Sequence, residues 1–154
     1  MTLSLKAPLP NFELRATNGQ IYSAASLTGK RIVIFFYPAA NTPGCTTESL
    51  DFARLAPEFE ALGVTLLGAS GDTEKKQCNF AAKVGPQVPL LIDPEASLAE
   101  AFGIWQEKKN FGKTYMGIVR STFLIGEDGT IERIWSPVKV AGHAQEVLDH
   151  LRSA

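Results

Sequence analysis

The sequence predicts an α/β fold with a mixed central β-sheet flanked by helices, and three observations lead to it. Arg31-Ile32-Val33-Ile34-Phe35-Phe36-Tyr37 is an unbroken run of β-branched and aromatic residues, as expected of a central strand covered on both faces. Strand-like and helix-like segments then alternate, which implies parallel pairing through helical crossovers. Towards the C-terminus, two more strand-like runs surround the turn Glu127-Asp128-Gly129.

Taken in order, Pro8, Pro10 and the turn-prone Asn18-Gly19 mark the first thirty residues as an irregular or hairpin-forming lead-in. The first core strand stops at Pro38, and the loop from Pro38 to Gly44 follows. Leu50, Phe52, Leu55, Phe59 and Leu62 recur at helical spacing up to Gly63, with Pro57 expected to kink or split that helix. A strand over Val64 to Ala69 leads to a helix from Asp72, the expected N-cap, to Val84, and then to the strand Leu90-Leu91-Ile92. Pro94 to Phe102 reads as helical, Lys108 to Lys113 as an exposed polar loop, Ser121 to Ile125 and Ile131 to Ser136 as strands, and Ala144 to Leu151 as a closing helix. No linker, repeat or low-complexity tract interrupts this order, so residues 1–154 are expected to form a single domain.

Hydrophobic residues make up 45% of the chain and charged residues 20%, which suggests neither disorder nor a membrane span. Lys plus Arg number 15 against 16 Asp plus Glu, and no basic cluster is denser than Lys108-Lys109, so no nucleic-acid footprint is visible and small, weakly charged partners are favoured. The N-terminus lacks the pattern of a secretory signal, and a cytoplasmic location is the expectation. Cys45 and Cys78 are the two cysteines, too few for a disulfide framework and not spaced as CxxC or as a zinc set. His143 and His150 are too sparse for a metal site, and His143 is expected to help start the last helix. Trp105, Phe111 and Trp135 read as core or surface-patch aromatics.

The stretch from Pro38 to Glu48 joins the end of a strand to the start of a helix. Thr42 is a natural N-cap and Pro43 suits the first helical position, which puts Cys45 in the first turn among unpaired backbone N–H donors. Such surroundings favour a thiolate, the nucleophilic form of cysteine. Cys45 can also be read as a small buried hydrophobe. Its place after Pro43-Gly44, at the carboxyl end of a parallel strand where open α/β sheets hold their sites, favours chemistry.

These residues resemble the peroxiredoxins, in particular the peroxiredoxin Q or bacterioferritin-comigratory-protein subfamily, whose signature P-x-x-x-T-x-x-C is matched by Pro38, Thr42 and Cys45. The resemblance extends through Phe35 to Tyr37, Thr46-Thr47-Glu48, Arg120 to Ile125 and Val138 to His143. It implies a thioredoxin-like fold and a cofactor-free peroxidase. In it Cys45 is the peroxidatic nucleophile, Thr42 and Arg120 are its hydroxyl and guanidinium partners, and Glu48 is the carboxylate that holds Arg120. Pro38, Thr42, Gly44 and Arg120 would line the substrate position. Hydrogen peroxide and organic hydroperoxides are the implied substrates, with thioredoxin or a glutaredoxin-like protein as reductant and a monomer, or a weak homodimer, as the working form.

One departure stands out. Many members of the subfamily carry a resolving cysteine five residues after the first, and here that position is Leu50. Other members place it on the next helix, which makes Cys78 the candidate. On a helical wheel Cys78 falls at the margin of the face formed by Phe80, Ala81 and Val84, where a thiol can be reached. The alternatives are a one-cysteine peroxidase in which Cys78 is structural and a non-catalytic redox sensor built on the two thiols.

Overall fold

The computed structural model describes residues 4–110 and 112–153. The lead-in forms a hairpin, β1 (Glu13–Arg15) against β2 (Ile21–Ser23), turned at Asn18-Gly19 where Gly19 has φ +84°, and a short helix α1 (Ala24–Leu27) follows. The core runs through β3 (Arg31–Phe36), α2 (Pro43–Ala61), β4 (Val64–Ser70), α3 (Glu74–Val84), β5 (Leu90–Ile92) and α4 (Ser97–Ala101). A second hairpin, β6 (Trp105–Asn110) and β7 (Lys113–Ile118), leads to β8 (Ser121–Ile125), β9 (Ile131–Trp135) and α5 (His143–Ser153).

The five-stranded sheet has the order β5-β4-β3-β8-β9, with β3 parallel to β4, β4 parallel to β5, and β8 antiparallel to both β3 and β9. β3 sits at its centre, and the pleat sends its residues alternately to two cores. Val33 and Phe35 face α2, α3 and α5 through Phe52, Phe59, Phe80 and Val147, while Ile32, Ile34 and Phe36 face Leu98, Phe102 and Ile118 on the other side. All of these side chains are buried, which is why the strand reads as a continuous apolar run rather than an alternating one.

Several expectations change. α2 is not split at Pro57. Phe52, Leu55, Ala56 and Phe59 are buried against the sheet along the same helix, whereas Pro57 is exposed, so packing holds a turn that lacks one backbone hydrogen bond. Thr73, not Asp72, caps α3, with its hydroxyl accepting from the Lys76 N–H at 3.3 Å. Helix α4 is shorter than 94–102, because Asp93 ties down the preceding turn by accepting from the Ser97 hydroxyl and the Leu98 N–H, both at 2.8 Å. The polar stretch 108–113 is largely strand rather than loop. Its pairing rests on backbone bonds out to Asn110↔Lys113, and only the base, Trp105 opposite Ile118, packs on the core, so no alternating apolar pattern betrays it. Phe111 lies outside the described residues. Trp135 is buried and Trp105 partly so. Among the described residues, no helix is long and apolar enough to cross a membrane.

Candidate active site

The site begins where β3 ends. Tyr37 still donates its N–H to the Ala69 carbonyl at 3.0 Å, and Pro38 then stops the ladder. Asn41 takes the left-handed conformation at φ 64°, which its short polar side chain tolerates, and redirects the chain into α2. Thr42 is extended and occupies the N-cap position, Pro43 starts the helix, and Cys45 lies in the first turn, as the sequence predicts. One part of that prediction fails. The Thr42 side chain caps no helix N–H; its hydroxyl donates instead to the Ala39 carbonyl at 2.8 Å, inside the loop. The helix N–H donors thus remain unspent on the cap.

Arg120 arrives from the other side of β3. Because Phe36 pairs with Ser121, the residue just before β8 stands beside the loop that follows β3. Its backbone is fixed by the Val138 N–H donating to the Arg120 carbonyl at 2.9 Å. The guanidinium then spans two partners on α2, with Nη2 donating to Cys45 Sγ at 3.3 Å and Nη1 to Glu48 Oε1 at 2.7 Å. Cys45 and Glu48 are one helical turn apart, so a single planar fork reaches both. Gly44 makes room for it: a Cβ there would stand 3.3 Å from Arg120 Nη2. Pro38 and Thr42 are exposed at the mouth, whereas the Cys45 side chain is only 1% exposed.

The electrostatics are those of a buried charge cluster. Burial pushes the Glu48 carboxyl up to about 7, and the attraction of Arg120 only partly offsets this. Its second oxygen, Oε2, has no hydrogen-bond partner. For Arg120 burial acts to lower the pKa, but Glu48 and Cys45 beside it outweigh burial and hold it above its ordinary value. It is a permanent cation directed at the sulfur. Lys108, on β6, is lowered first by burial and then by Arg120, with Cys45 opposing, so a second cation lies within electrostatic reach of the site. The sequence offers no motif for Lys108, since the polar stretch 108–113 carries no alternating apolar pattern that would mark a strand. Burial likewise lowers His143, which starts α5 as expected and bonds Thr122 Oγ1 at 2.7 Å. Among the described residues, no three His, Cys, Asp or Glu side chains converge as a metal site.

Cys78 is a free thiol on α3 and is exposed, further out than the helical wheel suggests. It lines an apolar groove with Ala81, Ala82, Val88 and Pro89. Cys45 points into the core between α2 and the sheet, so the two sulfurs face different surroundings and are not bonded. Leu50, where a nearer thiol might stand, is exposed on α2.

With this geometry in view, comparison with known proteins is direct. The AhpC/TSA family matches residues 5–134. Peroxiredoxin Bcp of Bacillus subtilis is 43% identical over 152 residues, covering 99% of this chain and 97% of that protein. A solved structure of the bacterioferritin comigratory protein of Xanthomonas campestris, studied for alkyl peroxide reduction in trapped intermediate and ligand complexes, is 42% identical. It superposes with a TM-score of 0.89 and covers 98% of this chain and 96% of that one. A solved PrxQ variant of Xylella fastidiosa gives a TM-score of 0.92 at 38% identity, over 99% and 98% of the two chains.

Proposed function

Since the chain belongs to the AhpC/TSA family, with a thioredoxin-like fold and the thiol-dependent peroxidase activity of the Bcp and peroxiredoxin Q proteins, we propose that Cys45 is its peroxide-reducing nucleophile and Arg120 the group that activates it. The family acts on peroxides with a thioredoxin-like reductant. The observation that carries the residue assignment is the single Arg120 guanidinium bonded at once to Cys45 Sγ and to the buried Glu48.

The chemistry follows from that contact. The Cys45 thiolate attacks one peroxide oxygen in line; an S–O bond forms, the O–O bond breaks, and the departing alkoxide or hydroxide takes a proton from solvent. Charge thus moves from sulfur to the leaving oxygen, and a fixed cation that spans the site stabilises it better there than a mobile one. Arg120 supplies the cation, Glu48 keeps its plane from turning, and Gly44 lets it approach. The Thr42 hydroxyl donates its hydrogen bond to the Ala39 carbonyl, which leaves its oxygen as an acceptor for the proton of the incoming hydroperoxide. Pro38 completes the mouth. No cofactor enters this sequence of steps.

Cys78 is the resolving thiol in this reading: it attacks the Cys45 sulfenic acid, an S–S bond forms, and the hydroxyl leaves as water with the Cys78 proton. Thioredoxin or a glutaredoxin-like dithiol then reduces the disulfide. The reading also includes a single domain over 1–154, a monomer or weak homodimer, and a cytoplasmic setting, in which two cysteines are kept reduced between turnovers. The experiment is peroxide consumption with a thioredoxin system. Cys45→Ser should abolish turnover, because a serine hydroxyl is not ionised near neutral pH; activity near that of the wild type would refute the assignment.

A further inference from the structure

Resting on that peroxidase reading, one buried polar network remains without a role in the chemistry, and it joins the two cysteine-bearing segments. Asp72, just before α3, accepts from the Ala40 N–H at 2.7 Å and from the Ser70 hydroxyl at 2.6 Å. Ala40 belongs to the loop that sets up Cys45, so this carboxylate ties that loop to the start of the other helix. Gln77, adjacent to Cys78 and fully buried, accepts from the Tyr37 hydroxyl at 2.7 Å and donates to the Leu91 carbonyl at 2.8 Å. Ser70 Oγ also lies 3.2 Å from Gln77 Oε1, so its one proton serves either Asp72 or Gln77 and the hydroxyl sits between the two bonded pairs. Tyr37 is the residue immediately before Pro38, and its ring packs edge-on against Phe80 of α3 at 5.5 Å.

At least one segment must move for resolution. Cys45 is buried in its first turn while Cys78 is exposed, and bond formation requires Cα atoms within about 7 Å. Pulling the Cys45 loop away breaks the Ala40 to Asp72 bond, and swinging α3 away breaks the Gln77 bonds. Either motion leaves buried polar groups unpaired unless the other follows, since Ala40 and Tyr37 on the Cys45 side are bonded to Asp72 and Gln77 on the α3 side.

We propose that Asp72, Ser70, Gln77 and Tyr37 form a latch that makes the Cys45 loop and the Cys78 helix open together, and that its strength sets how the Cys45 sulfenic acid divides between disulfide and overoxidation. When the latch is closed, Cys78 is kept away and a second peroxide molecule converts the sulfenic acid to sulfinic acid, itself reduced to alcohol or water. When it opens, Cys78 captures the sulfur first. These four are positioning residues: they touch neither the sulfur nor the peroxide.

The test uses Tyr37→Phe, which deletes one hydroxyl and keeps the ring packing, and Asp72→Ala as a second variant. Loss of one neutral hydrogen bond corresponds to about a threefold to tenfold rise in the open population. After one equivalent of hydrogen peroxide, both variants should lose the Cys45 thiol within about twofold of the wild-type rate but form the Cys45–Cys78 crosslink faster, by about threefold to tenfold for Tyr37→Phe and by more for Asp72→Ala, which removes a carboxylate that accepts two bonds. At excess peroxide their sulfinic fraction should fall. Hydrogen exchange should quicken together at residues 39–41 and across α3, with β8 unchanged. An unaltered crosslinking rate and sulfinic fraction in both variants, or faster exchange in α3 alone, would overturn the latch while leaving the peroxidase reading intact. Failure of wild-type Cys45 to oxidise, or to crosslink with Cys78, would instead overturn the underlying reading and the latch with it.

Discussion

At the scale of single residues, the proposed chemistry depends on how one guanidinium is held. Arg120→Lys keeps a positive charge but loses the planar fork that reaches Cys45 and Glu48 together, so peroxide reduction should fall by roughly tenfold to a thousandfold with folding largely intact. Steady-state rates and a circular dichroism spectrum check this, and an unchanged rate would remove Arg120 from the site. Glu48 makes a pH-dependent prediction. With its carboxyl raised from 4.5 to about 7, Glu48 ionises and anchors Arg120 only towards and above neutral pH. Wild-type activity should therefore climb between about pH 6 and 8, and Glu48→Gln should remove that rise. The same shift has an opposite sign for stability. The folded state holds a proton that the unfolded chain has released, so this contribution is fully present below pH 4.5 and is lost as pH rises through about 7. Urea midpoints of wild type and Glu48→Gln measured across that range should diverge accordingly.

At the scale of elements, α2 is the piece whose local sequence and tertiary setting disagree. Pro57 removes one backbone bond in the last third of a 19-residue helix, yet the helix continues because Phe52, Leu55 and Phe59 are buried on its inner side. Pro57→Ala should restore the bond on the exposed face and stabilise the protein by about 1 to 2 kcal/mol, less than the full helix-interior penalty because the proline also restricts the unfolded chain. A shift of the urea midpoint to higher concentration checks it, and a lower midpoint would mean that the ring itself contributes packing. Helix α3 shows the complementary case. Its buried side carries Gln77 beside Phe80 and Val84, so a polar residue that looks solvent-facing in sequence lies inside, while Cys78 next to it faces out. The wheel found the margin but not its polar occupant, because a buried amide is acceptable only where partners such as Tyr37 and Leu91 supply its bonds.

At the scale of the whole molecule, the proposed cycle asks the fold to serve two geometries, one with Cys45 under Arg120 and one with its sulfur joined to Cys78. One equivalent of peroxide should give a monomer with both thiols blocked and a Cys45–Cys78 crosslink found by peptide mapping. Cys78→Ser should instead accumulate sulfenic acid. Continued cycling of that variant with thioredoxin at the wild-type rate would make this a one-cysteine enzyme. What the sequence by itself determined is whatever depends on near neighbours: the central strand as an unbroken apolar run, its stop at Pro38, the turn into a helix opened by Pro43, and hence a cysteine in a first turn. Arg120 was legible only through its resemblance to a family pattern, since nothing within its own segment points to a residue 75 positions away. The tertiary structure decided the rest. Pairing of β3 with β8 brings Arg120 to the sulfur, burial turns Glu48 from a helix-end charge into a raised carboxyl, the hairpin brings Lys108 within electrostatic reach of Arg120 and Cys45, and Asp72 trades a cap for the Ala40 N–H. Each of these depends on desolvation or on a partner distant in the chain, and neither is encoded in local propensity or periodicity.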